Sequence, residues 1–148
     1  MQACQLMSRD VVTVRPHDDL VTAACLMREH HIGFLVVTER QHDGNPIGVL
    51  TDRDIVVAVV ASEANAKDLV VSDVMKPSPV VASEQDDLQD MLSHMRAHGI
   101  RRVPVVSRWG KLVGVVSFDD ILCFMSCLMS NVASAVTSQR KVEERQRA

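Results

Sequence analysis

Two short segments concentrate the residue types that could do chemistry. Gly48-Val49-Leu50-Thr51-Asp52-Arg53-Asp54-Ile55 and Gly114-Val115-Val116-Ser117-Phe118-Asp119-Asp120-Ile121 each set a hydroxyl and a carboxylate three residues apart behind a glycine-led apolar pair. Each reads as a strand running into the first turn of a helix. At such a junction the pair can be a capping box, in which hydroxyl and carboxylate satisfy backbone amides. It can also hold a ligand: a helix N-terminus favours a phosphate, and a carboxylate can accept both hydroxyls of a ribose. Ser83 and Asp86 repeat the spacing at a helix start that carries no glycine-led strand, so spacing alone leaves both readings open.

Arg53, Arg101 and Arg102 lie close to these segments or to their partner strands. A guanidinium fork matches phosphate geometry, and it matches an acidic neighbour equally well. His94 and His98, four apart on one helix face, could bind a metal, but nothing elsewhere in the sequence completes a ligand set, so no metal is expected. Cys123 and Cys127 share the same spacing and are expected to be buried small hydrophobes. The adjacent pairs Asp18-Asp19, Asp86-Asp87 and Asp119-Asp120 fall at helix starts, where acids favour the dipole. Neighbours in sequence do not face one another on a helix, so they make no acid/base pair. With no nucleophile-base arrangement, Walker-type loop or dinucleotide glycine fingerprint, no catalysis and no required cofactor are expected.

The elements that must position these residues occur twice. Displacing the chain by 68 residues lays Met7 on Met75 and Val12 on Val80; it also lays Asp18-Asp19-Leu20 on Asp86-Asp87-Leu88, and Met27, Arg28, His30 and Ile32 on Met95, Arg96, His98 and Ile100. After a two-residue change in a loop, Gly48, Asp54 and Ile55 meet Gly114, Asp120 and Ile121. Each unit reads strand, helix, strand, strand, helix. The first strands are Val11 to Val14 and Pro79 to Ala82. The first helices begin near Pro16 and Ser83, with apolar stripes at Leu20, Ala24, Met27 and at Leu88, Leu92, Met95. Phe34 to Thr38 and Val103 to Val106 follow, then turns at Gln41 to Pro46 and Ser107 to Gly110, then strands Ile47 to Leu50 and Leu112 to Val116. The first unit is expected over residues 1–62, a linker over 63–71 and the second unit over 72–130. A helical extension, frayed at its charged end, is expected over 131–148. A unit of about 60 residues is marginal alone, so the two should pack sheet to sheet in one pseudo-symmetric α/β (α+β) body.

Composition bounds the class. The 148 residues are 47% hydrophobic and 24% charged, with a net charge of −3 and a pI near 6.0. That balance argues against nucleic acid or an anionic membrane as partner. No basic-then-apolar leader opens the chain, and the stretch Ile121 to Met129 is far short of a membrane span. The spacing of Cys4, Cys25, Cys123 and Cys127 suits no disulfide framework. A soluble cytoplasmic protein is expected.

The duplicated unit, with G-h-h-[TS]-x-x-D at each second junction and HGIRRVPVV at His98 to Val106, resembles the CBS domain pair, or Bateman module, over Met7 to Leu128. The resemblance implies tandem β-α-β-β-α repeats related by a pseudo-two-fold, here followed by an extended C-terminal helix. It implies a regulatory sensor that binds an adenosine-containing ligand in clefts between the repeats: AMP, ADP or ATP, with S-adenosylmethionine or NAD as other members of the class. It also implies a homodimer and a regulated partner. By the same resemblance Asp54 and Asp120 would hold ribose, and Thr51, Arg53, Ser117, Arg101 and Arg102 would meet phosphate. Val12, Val14, Ile32, Val80 and Ile100 would wall the adenine. Where the second repeat has Arg101-Arg102-Val103-Pro104, the first has Gly33-Phe34-Leu35-Val36, so the two clefts are expected to be unequal. The competing expectation is an assembly protein with empty clefts that dimerises through the repeat faces and the last helix.

Overall fold

The computed structural model describes residues 1–40 and 44–147; the turn expected at Gln41 to Pro46 lies partly outside them. In chain order the elements are α1 (Ala3–Leu6), β1 (Thr13–Val14), α2 (Leu20–Glu29), β2 (Phe34–Thr38), β3 (Pro46–Thr51) and α3 (Asp52–Ile55). A π-helical turn, Val56–Val60, and a 3-10 turn, Ala66–Asp68, follow. Then come α4 (Val71–Val74), β4 (Lys76–Pro77), β5 (Ala82–Ser83), α5 (Leu88–His98), β6 (Arg102–Val106), β7 (Leu112–Ser117) and α6 (Phe118–Arg147). One sheet has the order β1-β2-β3-β4 and the other β5-β6-β7. In both, the first pair is parallel and the next antiparallel, with matching register: Phe34 opposite Thr51, and Arg102 opposite Ser117.

Two hydrophobic clusters form, one against each sheet. Val14, Leu20, Ala23, Met27, Leu35, Val37 and Leu50 make the first; Ala82, Met91, Met95, Val103, Val105, Val116 and Ile121 make the second. Alternation along β2 and β6 turns Val36 and Pro104 to the opposite face. Both are buried there.

Each cluster is completed by residues from the other end of the repeat order. Val71 of α4, which leads into the second repeat, is fully buried in the first cluster; Ala3 and Met7, which lead into the first repeat, are buried in the second. The backbone follows. β4 pairs with β3 through Val49 and Lys76, and Ser8 bridges to Val115 of β7. The glycines that open the two motifs make this crossing possible. A Cβ on Gly48 would lie 2.6 Å from Met75 Sδ, and one on Gly114 would lie 2.5 Å from Met7 Sδ and 2.8 Å from the Ser8 carbonyl oxygen.

The long first helices start later than the sequence pattern suggests. Pro16 lies ahead of α2 in a turn and Ser83 ends β5 ahead of α5, and the caps are Asp19 and Asp87, which accept from the Thr22 amide and from the Gln89 and Asp90 amides. Asp86 instead accepts from the Ser83 amide at 2.9 Å, as Asp18 does from Arg15. Ser83 with Asp86 is therefore a turn lock and not a helix cap. The late start shifts the buried stripe: Ala23, not Ala24, is buried in α2, and Met91 lies deeper in α5 than Leu88 or Leu92. Gly99 ends α5 in the left-handed region at φ 61°, as C′ glycines do. Its repeat mate His31 takes the same conformation, φ 54°, without glycine's freedom.

The largest departure is α6. It runs unbroken for 30 residues, through the charged stretch 139–147, and leaves the body of the protein after its first turn, where Ile121 is 1% exposed. The apolar part is longer than Ile121 to Met129: within Phe118–Glu143 an 18-residue stretch reaches a mean hydropathy of 1.6, and the segment is long and apolar enough, by length and composition, to cross a membrane. Cys123 and Cys127 are exposed on this helix, not buried, because no described residue packs over them there.

Candidate functional site

The two hydroxyl-carboxylate pairs sit where β3 meets α3 and where β7 meets α6, and they have the same internal geometry. Thr51 Oγ1 donates to Asp54 Oδ2 at 2.6 Å and accepts from the Asp54 amide at 3.1 Å, while the Thr51 amide donates to Asp54 Oδ2 at 3.0 Å. Ser117 Oγ donates to Asp120 Oδ2 at 2.6 Å and accepts from the Asp120 amide at 3.1 Å; the Ser117 amide donates at 2.8 Å. Both are complete capping boxes. Capping uses only one carboxylate oxygen of each aspartate, so it leaves the other open to a second role.

That other oxygen distinguishes the two repeats. Lys76 Nζ lies 3.3 Å from Asp54 Oδ1. Burial pushes the Asp54 carboxyl up, but the Thr51 hydroxyl and amide and then the Lys76 ammonium outweigh it and hold the group below its ordinary value. In the second repeat the position of Lys76 is taken by Ser8, on the equivalent bridge to Val115. Asp120 Oδ1 has no partner among the described residues.

The expected phosphate ligands are placed unevenly. Arg101 lies 3.5 Å from Asp119 with both side chains largely exposed, the acidic-neighbour alternative for that residue. Arg102 stacks over the Phe34 ring at 5.8 Å, joining the first residues of β6 and β2 across the two repeats. Arg53 is exposed at the start of α3, where its amide is bound by the Asp52 carboxylate. In the first repeat Gly33 takes the place of Arg101, and a Cβ there would lie 2.5 Å from Asp52 Oδ2. A side chain at position 33 would displace that carboxylate. Among the expected adenine walls, Val14 is core; Val12 and Ile32 pack half-buried on the first cluster and Ile100 on the second, and Val80 is half-buried.

Lys76 and Phe34 are the site-adjacent residues that sequence reasoning missed. Lys76 stands in the segment expected to serve only the second unit, and only the crossing of β4 onto β3 brings it to Asp54. The signal for Phe34 was present as the mate of Arg102 in the repeat alignment. The cavities of about 540, 460 and 450 Å³ lie elsewhere, against α5 with Met1, around Arg40 and Lys111, and around His17. Among the described residues no three His, Cys, Asp or Glu groups are placed to hold a metal. A ring nitrogen of His98 instead lies 3.0 Å from the His94 carbonyl oxygen, a helix-end contact.

Residues 3–61 and 71–126 match the CBS domain description, once for each repeat. The chain belongs to the CBS domain family. It is 38% identical over 119 residues to protein MK0525 of Methanopyrus kandleri, covering 80% of this chain and 59% of that one. It is 36% identical over 122 residues to hypoxic response protein 1 of Mycobacterium tuberculosis, covering 80% and 81%. The crystal structure of Hypoxic Response Protein I, described with two coordinated zinc ions, superposes with a TM-score of 0.73 at 34% identity, over 82% of this chain and 97% of that one. The CBS domain pair of protein MJ0100, in complex with 5′-methylthioadenosine and S-adenosyl-L-methionine, shares the fold with a TM-score of 0.73 at 22% identity, over 84% and 99%. The CBS pair therefore accounts for both sheets and all of the exchanged segments, and α6 extends beyond the matched residues.

Proposed function

We propose that this CBS pair is a sensor for an adenosine-containing ligand, with the second repeat's site the stronger of the two. The observation that carries the reading is the open Oδ1 of Asp120, on a carboxylate already fixed in place by Ser117 through Oδ2. A preoriented carboxylate oxygen is what a ribose diol requires of its acceptor, and fixing it beforehand lowers the entropy lost on binding. The amides at the start of α6 and the Arg101 and Arg102 guanidinia supply the positive side for a phosphate or a sulfonium ligand's carboxylate. The first site carries the same box with its free oxygen engaged by Lys76, so a ribose there competes with an ammonium. That a CBS pair of the same fold holds two adenosine derivatives supports the ligand class.

Ligand binding favours the liganded shape of the pair, and a regulated partner reads the shift in population. The four free thiols suit the reducing cytoplasm as the place where this happens. Titration calorimetry with AMP, ATP, NAD and S-adenosylmethionine tests the reading. Asp120→Asn keeps an oxygen for the cap and removes the charge; charge-assisted hydrogen bonds of about 1.5–3 kcal/mol make the expected loss about tenfold or more. Asp54→Asn is expected to cost less. Absence of heat with every ligand at millimolar concentration, or equal losses in the two variants, overturns it.

A further inference from the structure

The chain is poor in aromatic residues, with three phenylalanines, one tryptophan and no tyrosine. One of these few rings, Phe34 at the start of β2, meets Arg102 at the start of β6, with the guanidinium carbon 5.8 Å from the ring centroid. The two residues are repeat mates, 68 positions apart, and mates that touch each other lie at the pseudo-two-fold relating the repeats. A pair of arginines there would set cation against cation. The unlike pair attracts, because the face of a ring is negative. Strand register carries this contact to the second site. Arg102 lies directly opposite Ser117, so both side chains leave the same face of the sheet, with Cβ atoms about 5 Å apart. Ser117 in turn holds Asp120 through Oδ2.

We infer that Phe34 is a positioning residue for the second site: it holds Arg102 ready for a phosphate, and so makes that site select adenosine ligands that carry one. This role rests on the sensor reading of the site and adds to it the charge of the ligand and a residue from the other repeat. An arginine already held loses less rotamer freedom when an anion binds. The means of holding it decides what is left for the anion. Arg101, one position earlier, lies 3.5 Å from the Asp119 carboxylate, which offsets its charge and competes for its donors. Phenylalanine has no hydrogen-bond acceptor, so Arg102 keeps its charge and its five N–H donors. Among the described residues no carboxylate pairs with Arg102. In the first repeat the residue opposite Thr51 is Phe34 itself, so no strand arginine stands beside that hydroxyl.

Titration calorimetry on the full chain with AMP and adenosine tests the role, since the two ligands differ only in the phosphate. Wild type is expected to bind AMP more tightly. Phe34→Leu keeps an apolar side chain and removes the ring; AMP affinity should fall about two- to fivefold, the size of an exposed cation–π contact, with adenosine affinity unchanged. Phe34→Tyr should restore the preference for AMP, and in Arg102→Met protein Phe34→Leu should have no further effect. A packing role alone would move both ligands together. Equal losses for AMP and adenosine in Phe34→Leu, no loss for either, or a loss that persists beside Arg102→Met overturns the role of Phe34 and leaves the sensor reading in place. No heat with either ligand in wild type overturns the sensor reading, and the role of Phe34 with it.

Discussion

Replacing Lys76 with methionine separates capping from ligand binding at the first site. The ammonium lies 3.3 Å from Asp54 Oδ1, where two unit charges attract by about 5 kcal/mol at an effective dielectric of about 20. The lysine side chain is 70% exposed, however, and exposed pairs are worth only about 0.2–1 kcal/mol after screening and side-chain entropy. Lys76→Met is therefore expected to lower unfolding free energy by about 0.5 kcal/mol at pH 7. The sign with pH follows from the lowered Asp54 value. A carboxyl depressed on folding contributes stability above its unfolded value, near 3.8, and loses it as pH falls through the folded value beneath. The difference between wild type and variant should close in that acid window. Binding moves the other way. Removing the competitor frees Oδ1 for a ribose hydroxyl, so AMP affinity at the first site should rise, by at most about fivefold if the pair is worth about 1 kcal/mol. Ser8→Lys is the converse and should weaken the second site by installing an ammonium opposite Asp120. Urea melts at pH 7 and pH 3, together with calorimetry using AMP, read both effects. If Lys76→Met binds AMP no better and Ser8→Lys no worse, Lys76 is not the competitor described here.

Other perturbations have expected outcomes of their own. Gly114→Ala should cost about 1–3 kcal/mol in urea melts, because the new methyl meets both Met7 and the Ser8 carbonyl; Gly48→Ala, facing mainly the Met75 thioether, should cost less, and equal costs would remove the backbone from the argument. Ser117→Ala breaks the second capping box and should lose about 1 kcal/mol, with no loss indicating that the remaining amide-carboxylate bond suffices. His31→Gly should gain about 0.5–1 kcal/mol, since an exposed left-handed residue gives up strain and no packing; a destabilised variant would mean the imidazole has a role. Cys25, Cys123 and Cys127 should react rapidly with a thiol reagent in native protein and Cys4 slowly, and protection of the α6 pair would place a partner on that face of the helix.

Much of this was readable before any coordinates. The β2, β3, β6 and β7 strands fall within a residue or two of their expected bounds because β-branched runs between turn formers leave little choice. The duplication also paired every position that matters at the two junctions. The helix starts were not readable to the same accuracy. Asp18-Asp19 and Asp86-Asp87 each offer two acids in a row, and local pattern does not say that the first locks a turn while the second caps. The exchanged segments were the larger omission. Met7 and Met75 were visible as mates, but their burial against the other repeat's glycine is a contact across more than 25 residues of chain in one case and more than 100 in the other, and no periodicity records it.

That exchange also explains why an internally duplicated protein can have two unequal sites. If each leading segment served its own repeat, Lys76 would lie near Asp120 and Ser8 near Asp54. Because each crosses over, the lysine reaches the first carboxylate and the serine the second. Arg102 of the second repeat then pairs in register with Ser117, whose partner Asp120 keeps an open oxygen, while the first repeat has Gly33 and Phe34 in place of the two arginines and an occupied oxygen on Asp54. Substitutions on two separate segments thus point the same way, toward the proposed preference for the second site over the first. A protein selected only for a stable symmetric core would have no reason to distribute them so. Moving lysine and serine between positions 8 and 76 should therefore exchange part of the preference between the sites while leaving the fold intact, and loss of folding in the doubly exchanged protein would show that the asymmetry serves packing instead.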